Sequence, residues 1–311
     1  MDTMLGQNLI TRKKKILLGT SIILIVFLCV INIPNLIVNH DGLNGDIRIA
    51  YFTTIKKTPD WHDFLNKGKI SNKTWVPRNG LSVKNFWGSK EIKQCIDQRE
   101  RASNHTALYF IGDSRVRTLY SSVASLVTNT SKYYGTPKNL DNKTIISQKT
   151  NIYYKADNYL KNLKHHLLRI VVSDDYLKPS FIFLDTGSWY MRYDTIDNYT
   201  ETLLDVKNVI EDLKPYLKEC VIIWMVQDRV VDDKNYMWMD NTLVEKYNKI
   251  AQIMFSTSSE LVTWRSGREV AGLVNDWIDS VHVGRKSDDA KANLLMNAVC
   301  SKYTQDETEK S

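Results

Sequence analysis

Histidine and cysteine are scarce in this chain, at six and four residues of 311. None stands at metal-ligand spacing, which argues against a zinc site. Basic helices and aromatic-basic motifs are also lacking, so the formal net charge of +7 does not mark a nucleic-acid binder. Three of those charges, from Arg12 and Lys13 to Lys15 against Asp2, lie at the extreme N-terminus. The remainder is mixed with acids as on a solvated surface, and at most favours an acidic substrate. No internal repeat is present. With 43% hydrophobic and 25% charged residues the chain is globular rather than disordered.

Charge is absent from Ile16 to Ile33, and Pro34 to Val38 extends that apolar run to the length of a bilayer span. Residues 16–38 are therefore read as a transmembrane signal anchor. Arg12 to Lys15 abut its N-terminal side, whereas no Lys or Arg follows until Arg48, so the positive-inside rule places the tail 1–15 in the cytosol. Everything beyond about residue 40 is then lumenal or extracellular. A cleaved signal peptide fits less well, because the run is long and no small-x-small cleavage site follows it. Five glycosylation sequons, at Asn72, Asn104, Asn129, Asn142 and Asn198, all fall on the lumenal side.

That topology puts three cysteines, Cys95, Cys220 and Cys300, in an oxidising compartment, with Cys29 inside the anchor. Three single disulfides are open to them. Cys220 begins the apolar run Val221-Ile222-Ile223-Trp224 and reads as a buried free thiol, which favours Cys95 with Cys300.

Residues 39–90 are irregular, punctuated by Trp61, Trp75, Pro77, Gly80, Trp87 and Gly88, and read as a stem leading into a domain over 91–303. From Ala107 strands and helices alternate. Residues 107–111 form a strand and 115–126 a helix, whereas 129–165, rich in Asn, Lys and Tyr, read as a polar insertion. Phe181 to Leu184 makes a second strand; Leu203, Val206, Ile210 and Leu213 recur at helical spacing. Cys220 to Val226 and Glu260 to Trp264 are further strands, Leu243 to Met254 a helix, and Asp288 to Lys302 the last helix before a polar tail at 304–311. Alternation of this kind predicts an α/β fold whose parallel sheet is covered on both faces, with functional loops at the carboxyl ends of the strands.

Each such loop carries a polar candidate. After the first strand comes Gly112-Asp113-Ser114, with Ser114 at a helix head where its backbone N–H can meet an oxyanion. Gly187 follows the second strand, where a missing side chain admits a second N–H. Gln227 follows the third, with an amide able to donate a further hydrogen bond. Last come Asp279 and His282. A serine is a poor nucleophile near neutral pH and needs a base, and a histidine held by a carboxylate three residues earlier supplies one. Taken singly, Ser114 reads as a helix N-cap, His282 as a surface residue and Gln227 as ordinary loop. Their order on successive strand-end loops is what acyl-transfer chemistry requires.

The stretch Phe110-Ile111-Gly112-Asp113-Ser114-Arg115 resembles the first block of SGNH-type esterases and transferases. More narrowly, it is similar to the lumenal catalytic domain of the sialate O-acetyltransferases, within the PC-esterase group. Trp224-Met225-Val226-Gln227-Asp228-Arg229-Val230, then Glu245-Lys246-Tyr247-Asn248, and finally Asp279-Ser280-Val281-His282 carry the same resemblance, which spans about Trp75 to Tyr303. It implies an SGNH-like three-layer sandwich with a mostly parallel sheet behind one membrane helix. Ser114 is then the nucleophile, His282 the base and Asp279 its orienter, with Gly187, Gln227 and Arg115 around the oxyanion and substrate.

Two positions depart from the pattern: Arg229 stands where Pro is usual and Ser280 where Gly is common. Members of the family continue into a multi-span membrane domain, whereas this sequence stops after one anchor. The resemblance therefore leads us to expect a single-pass type II Golgi protein, with no bound cofactor, that moves an acetyl group to or from a glycan hydroxyl. If it acts as a transferase, acetyl-CoA or an acetyl group derived from it would be the co-substrate, supplied through a separate multi-span transporter or as an acetylated small molecule. A carbohydrate acetyl esterase, or a non-catalytic glycan-binding or adhesion protein on the same fold, is the alternative.

Overall fold

A computed structural model describes residues 64–308, apart from 67, 72, 73, 79–81, 89, 104, 132–140, 232–237 and 259. The tail 1–15, the anchor 16–38, Cys29, Asn72 and Asn104 lie outside the described residues. Among those described, no helix is long and apolar enough to cross a membrane.

In chain order the elements are a hairpin of β1 (Gly68–Ser71) and β2 (Thr74–Pro77), then α1 (Glu91–Ser103), β3 (Thr106–Gly112), α2 (Ser114–Thr128), β4 (Asn142–Ile145), β5 (Thr150–Ala156) and α3 (Leu163–Val172). They continue with β6 (Phe181–Asp185), α4 (Ser188–Tyr193), α5 (Ile196–Leu213), β7 (Val221–Met225), α6 (Asn241–Phe255), β8 (Leu261–Trp264), α7 (Ser266–Val274) and α8 (Arg285–Thr308). Six strands form the main sheet in the order β4-β5-β3-β6-β7-β8, parallel except for β4 at one edge.

Every residue of β3 is buried, as a strand covered on both faces requires. Its side chains alternate between two cores. Leu108 and Phe110 meet Ile96 of α1, Leu119 and Val123 of α2, and Leu295 and Val299 of α8 on one face. Tyr109 and Ile111 meet Leu167 of α3, Val206 of α5 and Tyr247 of α6 on the other. The result is the mostly parallel three-layer α/β sandwich that the motifs implied. Phe64, Leu65, Trp75 and Phe86, from the stretch read as a stem, pack into the first core.

The region 129–165 departs from the sequence reading. It is not a plain insertion, since it contains β4 and β5, and β5 pairs with β3 along seven residues from Thr106↔Thr150 to Gly112↔Ala156. Its polar composition conceals a buried strand because Tyr153 stacks on Tyr109 with ring centroids 4.4 Å apart. The Lys155 ammonium, in turn, is held by Asp141 at 2.8 Å. The last helix begins three residues earlier than expected, at Arg285, and runs on to Thr308 through part of the stretch read as a tail.

Cys95 of α1 and Cys300 of α8 are disulfide-bonded. Arg99 fastens the same two helices, its Nη1 donating to the Val299 carbonyl at 2.6 Å. Cys220 is in no disulfide and is only half-buried, against the expectation of a buried thiol, because it precedes β7 rather than lying within it. Asn129 and Asn198 are exposed, and Asn142 is half-buried at the start of β4.

Candidate active site

Strand order creates the crevice. The chain leaves β3 to build β5 on one side and later returns to build β6 on the other, so the loops after β3 and β6 diverge above a topological switch point. Gly112 closes the gap between the two strand ends: its φ is +155°, and a Cβ there would lie 2.4 Å from the Asp185 carbonyl oxygen. Only glycine brings the start of α2 this near to the loop carrying Gly187.

At the head of α2 the capping residue is Asp113, whose Oδ1 accepts from the Arg115 N–H at 2.9 Å. Its other oxygen, Oδ2, accepts from the Ser188 hydroxyl. Ser114 is the first helical residue, and its hydroxyl is spared from capping. Ser114 Oγ lies 2.7 Å from His282 Nε2, and His282 Nδ1 lies 2.8 Å from Asp279 Oδ2. A ring protonated on Nδ1 therefore donates to the carboxylate and leaves Nε2 to accept the serine proton.

A tight turn from 277 to 283 holds this pair. Trp277 and Val283 form an isolated bridge, and the Ile278 N–H donates to the His282 carbonyl at 3.0 Å. Asp279 Oδ1 accepts from the Val281 and His282 N–H groups at 2.8 and 2.7 Å. Partial burial works to raise the Asp279 pKa, but the N–H and ring of His282 and the N–H of Val281 outweigh it and hold the carboxyl below its ordinary value. The carboxylate is thus fixed by the same loop it orients.

Gly187 adopts φ +152° at the start of α4, and a Cβ there would come within 3.1 Å of the Gln227 amide. Gln227 and Arg115 require correction. Both were expected to face the oxyanion or substrate, yet both are buried beneath the site. Gln227 Nε2 donates to Asp185 and, at 3.2 Å, to the Thr186 carbonyl, which occupies both of its protons. Its Oε1 accepts from Arg115 Nη1. Arg115 Nη2 then reaches the Val281 carbonyl at 3.2 Å. These two side chains tie the loops after β3, β6 and β7 to the turn that carries His282.

Asn248 of α6 completes the tie, exchanging hydrogen bonds with the Gln227 backbone at 2.7 and 3.0 Å. Asp185 is fully enclosed here, and burial, then the nearby Asp113 charge, raise its pKa well above the carboxylate range. Deeper still, Lys291 of α8 pairs with Asp228 at 2.8 Å and Asp288 at 3.1 Å. Burial opposes the Lys291 charge, but the two carboxylates outweigh it and raise its pKa.

A cleft of about 100 Å³ opens on Ser114 and His282, walled by Ser188, Trp189, Arg192, Tyr193, Trp238 and Val281. The Arg192 guanidinium lies over the Trp238 ring at 4.9 Å and the Tyr193 ring at 4.7 Å. Of these wall residues Trp189, Arg192, Tyr193 and Trp238 escaped the sequence reading. Their one signal was position, because Trp189 to Tyr193 follow directly on the strand-end Gly187. Among the described residues, no group of three or more His, Cys, Asp or Glu is placed to hold a metal ion.

No protein-family model matches this chain. A curated relative, the N-acetylneuraminate (7)9-O-acetyltransferase of Danio rerio, is 22% identical over 256 residues, which are 79% of this chain and 31% of that protein. The chain therefore spans about a third of the relative's length. The resemblance to sialate O-acetyltransferases read from the motifs recurs along that aligned stretch. Among solved structures, an acetylxylan esterase, Axe2 of Geobacillus stearothermophilus, overlaps 62% of this chain and 94% of its own at 14% identity and a TM-score of 0.41. A protein assigned as a GDSL-like lipase from Parabacteroides merdae overlaps 63% and 96%, at 14% identity and a TM-score of 0.41.

Proposed function

We propose that this chain is an O-acetyl-transferring enzyme acting on carbohydrate, working through an acetyl-Ser114 intermediate. The hydrogen-bonded chain from Ser114 through His282 to Asp279, open to an aromatic-walled cleft, carries the reading. Similarity to an acetyltransferase of N-acetylneuraminate supports a sialic acid or related glycan as the acceptor.

His282 Nε2 takes the Ser114 proton as Oγ attacks the acetyl carbonyl of an acetyl ester or thioester donor. The backbone N–H groups of Ser114 and Gly187 stabilise the oxyanion, since Gln227 has no proton left to give. The donor's C–O or C–S bond then breaks, and the leaving group departs with the proton from His282. A sugar hydroxyl next gives its proton to His282, attacks acetyl-Ser114 and leaves acetylated, while Ser114 recovers the proton. Water in place of the sugar makes the same site an esterase.

The same proposal sets the domain in the Golgi lumen behind the anchor read at 16–38, with an acetyl donor delivered across the membrane. Its support is the apolar run beside Arg12 to Lys15, the lumenal sequons and the Cys95–Cys300 disulfide, which persists in oxidising compartments.

The test is incubation of the purified chain with acetylated and free sialosides, following acetate and sugar by mass spectrometry, together with labelling by a fluorophosphonate. Acetate movement and a label on Ser114 are expected. A chain that neither labels nor moves acetate is a binding protein on this fold. For the topology, sealed microsomes should protect residues beyond about 40, and protease attack on them from the cytosolic side would overturn it.

A further inference from the structure

Among the described residues that wall the cleft beside Ser114, none is a carboxylate, and Arg192 is the one cation that does not depend on pH. Arg192 makes no ion pair among the described residues. The carboxylate two residues on, Asp194, is already engaged, accepting from the Thr195 N–H at 2.8 Å and from Asn198 Nδ2. Arg192 instead lies over the Trp238 and Tyr193 rings, its Cζ 4.9 and 4.7 Å from their centroids. A cation–π contact draws on the charge of the group without a hydrogen-bond acceptor, so its N–H donors can still serve a ligand.

The support under Arg192 leads back to the nucleophile. Arg192 lies on α4, three residues after Trp189, so the two share a face of the helix. Ser188, at the start of the same helix, donates to Asp113, the cap of the helix that Ser114 begins. A cation supported in this way, in a small cleft whose described walls are aromatic and carry no acid, matches a ring-shaped ligand bearing one negative group.

We propose that Arg192 is a specificity-determining residue that binds a carboxylate on the sugar, while Trp238 and Trp189 face its ring. This rests on the acyl-transfer reading of Ser114. A role in oxyanion stabilisation would affect charged and neutral substrates alike, whereas a specificity role changes their ratio.

The experiment measures formation of acetyl-Ser114 by intact mass, using the full chain and two donors, an O-acetylated sialoside and its neutral methyl ester. Wild type should react roughly 10- to 100-fold faster with the carboxylate form, the range expected of one hydrogen-bonded charge pair. Arg192→Gln should bring that ratio to about one, and Arg192→Lys should restore part of it. Equal rates for the two donors in wild type, or an unchanged ratio in Arg192→Gln, overturn the role of Arg192. In either case fluorophosphonate labelling of wild-type Ser114 shows whether the enzymatic reading survives. A wild type that fails to label and forms no acyl-enzyme overturns both.

Discussion

The Asp113 carboxylate caps the helix that Ser114 begins, and so leaves the Ser114 hydroxyl to His282. Capping and nucleophilic duties compete for one side chain in the simplest reading of Gly-Asp-Ser. Here they fall on adjacent residues.

The division of labour is measurable. Ser114→Ala should abolish fluorophosphonate labelling and acetyl transfer with little change in melting temperature, because no cap is lost. Asp113→Ala should instead cost about 0.5 to 2 kcal/mol as a lost cap, and more for the stranded Ser188 hydroxyl. A Ser114→Ala protein that turns over like wild type would refute the nucleophile.

Gln227→Ala should act on stability as well as on rate. It leaves the Asp185 carboxyl and the Arg115 guanidinium without a shared partner in a buried site, a loss of roughly 1 to 3 kcal/mol. Thermal denaturation alongside turnover decides the matter. A fall in rate with no fall in melting temperature would return Gln227 to the oxyanion.

Asp185 makes stability depend on pH. Its pKa is raised in the folded state, so above about pH 4 the folded chain holds a proton that the unfolded chain has released. Its contribution is complete below the unfolded value and is lost as pH rises through the folded one. Asp185→Asn removes that titration, so its stability relative to wild type should be better at pH 7 than at pH 4. Denaturant unfolding at the two pH values tests the sign.

The double variant Cys95→Ser/Cys300→Ser should lose about 2 to 5 kcal/mol, since the bond closes a loop across a sequence separation of 205. Urea unfolding of oxidised and reduced wild type should show the same difference. Equal midpoints would mean that Arg99 and the core hold α1 to α8 unaided.

By itself the sequence determined the strands at 107–111, 181–184 and, within a residue at each end, 220–226, and the order of polar groups on the loops that follow them. Those features are local: an unbroken apolar run between turns reports a buried strand whatever surrounds it. The pairing of Asp279 with His282 was legible for the same reason, because three residues of a tight turn suffice to bring them together. Packing alone decided the rest. β5 is an interior strand although its residues look polar, since Tyr109 stacks on its Tyr153 and Asp141 pairs with its Lys155 from outside the strand. Whether Arg115 and Gln227 face a substrate or each other depends on how far apart four loops settle, and those loops come from segments distant in the chain. The cleft wall of Trp189, Arg192 and Trp238 likewise exists only where α4 meets the chain just before α6.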